Sequence, residues 1–199
     1  MRFKTARIAG ITGVAGVAGG LLALLAGSAT PALAATTDTG GTFTLNVTHS
    51  NVTRLAKAGL VVLPTGTGTA TSVNAGEHIT LQVRGGDATF IGTAGTLHLA
   101  GGLLVTDGAT GRSLSLTGLA FSYDTGRISM VAGGSRFALG SVGGSETGST
   151  GATSQTFSVT GIYLSPGAAR YLDRHLHTSY FKAQADLGGF TTTYTVETS

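Results

Sequence analysis

From Glu77 to Val83 the chain alternates without a break, with Ile79, Leu81 and Val83 on one side and His78, Thr80 and Gln82 on the other. Strict period-2 spacing predicts a strand with one face buried and one face wet. The same pattern recurs at Leu97 and Leu99, Leu103 and Val105, Leu114 and Leu116, Ile128 and Met130, Phe137 and Leu139, and at Phe190, Tyr194 and Val196. Across Thr117-Gly118 the parity flips to Leu119, Phe121 and Tyr123, which is how a β-bulge reads in sequence. Turn chemistry separates the runs: Asp107-Gly108, Thr110-Gly111, Asp124-Thr125-Gly126 and Gly133-Gly134. Closely spaced strands joined this way predict a mainly β chain, an antiparallel β-sandwich or partly open barrel. Its core should include Leu81, Leu97, Leu116, Phe121, Phe157 and Leu172.

Two segments break the alternation with helical spacing. Ser165-Pro166 is a start signal, Ser as N-cap and Pro at the first helical position. Ala168, Tyr171, Leu172, His175 and Leu176 then form one apolar stripe. The other helix is expected from Ser50 to Ala58, stopped by Gly59, with Val52, Leu55 and Ala56 inward. Each follows a strand, Phe43–Thr48 and Phe157–Leu164, so the two helices could close the two ends of a sandwich. Residues 140–155, rich in Gly, Ser and Thr with Glu146 as their one charge, read as a flexible loop.

The N-terminus has its own grammar. Arg2, Lys4 and Arg7 precede an uncharged run from Ile8 to Ala29, followed by Pro31-Ala32-Leu33-Ala34-Ala35. This is the three-part pattern of a secretory signal peptide, with an A-x-A site predicting cleavage after Ala34. The alternative is an uncleaved anchor, against which stand the Gly residues that dilute the run. Residues 1–34 are therefore expected to be a cleaved leader and 35–199 a single β-rich domain. Removing the leader removes three basic residues and takes the formal net charge from +3 to zero. No basic stripe is left for nucleic acid or for anionic lipid, and no stable membrane insertion is expected after cleavage. The chain has no Cys, which with the Ala-rich leader points to a secreted protein of a high-GC actinobacterium.

Candidate chemistry is sparse. Thiol nucleophiles and thiolate metal sites are absent, and neither a G-x-S-x-G elbow nor a phosphate loop is present. The nine carboxylates are scattered, so a hydrolytic pair could form only in space. The remaining candidates are Tyr171 and His175, four residues apart on the second helix. They read either as a packed pair covering one end of the domain or as ligands to a metal or haem iron.

Gly95-Thr96-Leu97-His98-Leu99-Ala100-Gly101-Gly102-Leu103, then Ser113-Leu114-Ser115-Leu116-Thr117, Leu164-Ser165-Pro166-Gly167-Ala168-Ala169 and Phe181-Lys182-Ala183 together resemble secreted actinobacterial β-domains of the haem-transport-associated HtaA type. The resemblance implies a secreted or cell-surface haem-binding module. Two features of those domains are missing: an N-terminal aromatic segment supplying a Tyr to the iron, and a Gly-His-x-Gly turn. This chain has no Tyr before Tyr123 and carries Ala100-Gly101-Gly102 at the turn. The reading that follows is a secreted, non-enzymatic binding or cell-envelope module without a cofactor, its extracellular or cell-wall ligand unknown. A haem-binding protein using Tyr171 and His175 is the alternative, and a secreted hydrolase the third.

Overall fold

The computed structural model describes residues 38–74, 76–88 and 94–196, all within one compact unit, Ala34–Ser199. The expected leader, 1–34, lies outside the described residues. The elements run β1 (Asp38–Val47), α1 (His49–Lys57), β2 (Leu60–Thr65), β3 (Thr69–Val73), β4 (Gly76–Gly86), β5 (Thr96–Leu99), β6 (Gly102–Asp107), β7 (Arg112–Ser122), β8 (Arg127–Ala132), β9 (Ser135–Thr150), β10 (Ser154–Leu164), α2 (Pro166–Leu176) and β11 (Gly189–Val196).

The strands belong to one antiparallel sheet, not the two that a sandwich needs. Eight of them close on themselves in the order β7-β5-β4-β1-β11-β10-β9-β8, with the pairing of β8 to β7 completing the ring. Of the expected architectures the chain takes the barrel, and the barrel is closed. The physical reason lies in the bulges. Register shifts between Thr117 and Ala120, Val83 and Gly85, and Val159 and Gly161 add local twist and bend the strands until the sheet meets itself. Three strands lie outside the ring: β3 forms a hairpin with β4, β6 continues the line of β5 along β7, and β2 pairs with β6. Pro64 sits in β2, which ends the sheet order, the position where a strand tolerates proline. Asp107 closes the β6–β7 turn. Its carboxylate accepts the Ala109 N–H at 2.8 Å and the Thr110 hydroxyl at 3.0 Å, and the Ala109 bond above all holds its pKa below the usual carboxylate value.

Residues 140–155 are not a loop. β9 runs through them to Thr150 and pairs with β10, Thr147 opposite Ser158 and Ser149 opposite Thr156. Its outer half is exposed, so it needs no apolar side chains, and composition alone hides the strand. On the outside of the barrel, hydroxyls pair across strands: Thr44 with Thr80, Thr156 with Thr193, and Ser158 with Thr191, each at 3.0 Å. Inside, all six residues expected in the core are buried.

Both helices form, with changes. α1 begins a residue earlier than expected, capped by Thr48, whose side chain accepts the Asn51 N–H; Asn51 is buried while Ala56 is exposed. α2 starts as read: the Ser165 hydroxyl oxygen accepts the Ala168 N–H at 3.0 Å and its O–H donates to the Ala138 carbonyl at 2.7 Å. One side chain thus caps the helix and ties it to β9. Ser165→Ala should cost about 1–2 kcal/mol, read as a lower denaturant midpoint with an unchanged slope. A midpoint equal to wild type would refute this role. The helices do not close opposite ends, because Leu55 of α1 and Leu172 of α2 line the same cavity.

Candidate functional site

The barrel interior has two unlike halves. One is packed with rings: Phe121 contacts Tyr123 at 4.7 Å, Phe190 at 4.9 Å and Phe157 at 5.9 Å between centroids. The buried hydroxyl of Tyr194 bonds the side chain of Gln155 at 3.1 Å. Phe43 stacks on Phe190 at 4.6 Å and marks the boundary, since it also lines the other half. That half is a cavity of about 120 Å³ walled by aliphatic side chains such as Leu81, Leu103, Val105, Leu116 and Leu139.

The cavity owes its shape to chain that is not strand. Between α2 and β11 the segment 178–188 folds along β10, with Leu187 N–H to Ile162 O at 2.8 Å, Gln184 N–H to Leu164 O at 2.8 Å, and Leu164 N–H to Ala185 O at 2.9 Å. It is fastened at two further points. The Asp173 carboxylate takes the Phe181 N–H at 3.0 Å, and the buried Asn51 of α1 donates to the Asp186 carbonyl at 3.0 Å. Satisfying a buried amide this way is what allows Asn51 to sit there.

The polar fringe of the cavity comes from α1, β4 and this segment: Asn51, Arg54, Glu77, Tyr180, Lys182 and Asp186. Arg54, Lys182 and Asp186 are exposed and Glu77 is half-buried, so here the cavity meets solvent. Arg54 is positioned by Asn51, whose side-chain oxygen accepts from it at 3.5 Å, and by the Tyr180 ring, whose centroid lies 6.0 Å from the guanidinium. Lys182 donates to Ser179 O at 2.7 Å, and the Asp186 carboxylate accepts the Gly188 N–H at 2.8 Å.

Tyr171 and His175 are together, but elsewhere. Their rings stack at 3.9 Å, and the His175 Nδ1 bonds the Tyr171 carbonyl at 2.9 Å; the carbonyl can only accept, so Nδ1 carries the proton and Nε2 stays free. Tyr171 packs on Phe137 at 4.7 Å, and a Cβ on Gly133 would stand 2.9 Å from its hydroxyl. Neither residue lines the cavity. Among the described residues no cluster of three or more His, Asp or Glu could hold a metal ion, and no helix is long and apolar enough to cross a membrane.

Of the residues around the cavity mouth, the sequence marks only Phe181 and Lys182, as part of Phe181-Lys182-Ala183, and gives them no role. Arg54 and Lys182 look like ordinary surface cations there, and the aliphatic wall looks like any core. The one available clue was chemical: apart from Phe43 in β1 and Tyr180 and Phe181 in the segment after α2, the inward aromatics fall in β7, β10 and β11 (with Tyr123 just past β7), leaving the other strand walls aliphatic.

Fold and site together define a class: a closed antiparallel β-barrel domain with an apolar cavity under its two helices. Within that class the fold is HtaA-like. It is similar to the C-terminal domain of HtaA from Corynebacterium glutamicum, with a TM-score of 0.59 and 16% identity over 81% of this chain and 99% of that one. The heme binding protein HtaB from the same organism gives a TM-score of 0.49 and 14% identity over 81% of this chain and 94% of that one. No protein-family model and no curated protein sequence matches the chain. The resemblance read from Gly95–Leu103 and Leu164–Ala169 is thus met at the level of the fold.

Proposed function

We propose that the chain is a secreted, non-enzymatic binding module of the cell envelope or its surroundings, which holds a small apolar ligand inside its barrel. The cavity carries this reading: an aliphatic pocket with a few polar groups gathered at one mouth is how small-molecule sites are usually built. Glu77 and Asp186 share that mouth, as a hydrolase would require, but Asp186 is engaged in its own turn. The wall behind them offers a sugar ring almost nothing to bond. Function resides in the site, not in the fold, and this site is built for burial.

Calorimetric titration with 1-octanol tests the reading directly. The expected result is saturable one-site binding with a negative heat-capacity change, abolished by Leu55→Trp, which fills the cavity from α1. Non-saturable heats, or unaltered binding in the filled variant, would overturn it. Secretion is tested separately by the N-terminus of the protein recovered from culture medium, expected at Ala35.

The stacked Tyr171–His175 pair favours a second reading. A tyrosine beside a histidine with a free Nε2, on the HtaA-like fold, is a candidate haem site. Haemin titration should then give a saturable Soret shift that Tyr171→Phe or His175→Ala removes. A flat response would leave the pair as packing over the β8–β9 turn.

A further inference from the structure

We propose that the occupant of the cavity is a single-chain amphiphile with an anionic headgroup, its alkyl chain among Leu103, Val105 and Leu116 and its carboxylate at Arg54. The inference rests on the proposed function and adds to it the chemical class of the ligand.

Volume selects the tail. A cavity of about 120 Å³ is close to the roughly 150 Å³ apolar cavity that admits benzene. It therefore admits one flexible chain and excludes a macrocycle or a second chain. The wall selects an alkyl chain too: apart from Tyr180 and Phe181 of the mouth segment it is aliphatic down to Phe43, and the aromatic cluster behind Phe43 stops further entry. A chain entering from solvent leaves its polar end at the mouth, because burying that end would cost it its water without a partner.

Charge selects the head. Arg54 is held at the mouth by Asn51 and the Tyr180 ring, and a carboxylate is not among the partners that hold it. A guanidinium fixed by neutral groups is ready for bidentate capture of a carboxylate or phosphate. Lys182, the other cation there, is tied to Ser179 O. Of the two acids, Asp186 accepts the Gly188 N–H and keeps its charge, so Glu77 and Asp186 both oppose an anion, and the bidentate fork of Arg54 must outweigh them.

The experiment uses the protein expressed from its full coding sequence. Calorimetric titrations compare n-alkyl carboxylates, alcohols and amines of matched length from six to twelve carbons. Affinity should rise about fourfold per methylene until the cavity is full, and then level off. At each length the carboxylate should bind at least about fivefold tighter than the alcohol, as one charge-assisted hydrogen bond would give. Arg54→Gln should erase that ratio, whereas Arg127→Gln, exposed and away from the cavity lining, should leave it as it was. If alcohols bind but carboxylates gain nothing over them, the anionic class fails while the cavity reading stands. Amines tighter than carboxylates would assign the head to Glu77 and Asp186 and overturn the proposal. If nothing binds, both fail together.

Discussion

Phe121→Ala should destabilise the fold by about 3–5 kcal/mol, the range for removing a fully buried aromatic ring whose surroundings cannot collapse. Phe121 is 1% exposed and stands between three rings: Tyr123 and Phe190 edge-on to it, and Phe157 stacked against it. Those rings come from β10, β11 and the end of β7 itself, walls on different sides of the barrel that the closed sheet holds apart. The gap therefore cannot be filled by moving one wall, and the edge-to-face contacts are lost together with the buried area. Since a domain of this size has only about 5–15 kcal/mol in total, the variant should unfold at a much lower denaturant concentration. A loss below about 1 kcal/mol would mean that the aromatic cluster is not the rigid half of the interior.

Closure was the feature hardest to read from sequence. Alternation located the ladder from Glu77 to Val83, and the parity flip at Thr117-Gly118 located the bulge where β7 shifts register against β8. Both are local signals. The hairpin of β7 and β8 is legible from Asp124-Thr125-Gly126, but whether β1 meets β11, from the other end of the domain, in the same sheet is decided by pairing between distant segments and by accumulated bend, and neither leaves a mark in the spacing of apolar residues. The outer half of β9 was lost for a different reason. Alternation reports burial, and Thr147 and Ser149 are exposed although they pair with β10.

The site was less legible still, because a cavity differs from a core only in what is missing. Leu103 and Leu116 were correctly read as inward, yet nothing in their spacing shows that the space between them is unfilled. Asn51 is the clearest loss. In sequence it is a polar residue in a short helix, whereas in the fold it is buried and links α1 to the segment that forms the mouth. Tyr171 and His175 stood out because their chemistry is rare in this chain, and helical spacing does bring them together. Periodicity could not tell whether that face looks into the barrel or onto the β8–β9 turn.

Gly188→Ala should cost about 2–5 kcal/mol and weaken ligand binding in the same variant. Gly188 has φ +108°, a conformation side chains avoid, and a Cβ there would lie 2.1 Å from the Asn46 carbonyl oxygen and 3.2 Å from the Val47 Cα. Those are backbone atoms of β1, so the new methyl has no rotamer to escape into; either β1 or the mouth segment must move. β1 is paired on both sides, to β4 and β11, so the mouth segment should yield. It would take with it the Asp186 carbonyl that holds Asn51, and through Asn51 the guanidinium of Arg54. Gly111→Ala separates the two causes, because Gly111 has φ +70° but nothing within 4 Å of a Cβ. That control should lose only about 1–2 kcal/mol from backbone strain and bind 1-octanol as wild type does. Equal losses in the two variants, or intact octanol binding in Gly188→Ala, would show that close packing of the segment on β1 does not set the shape of the cavity.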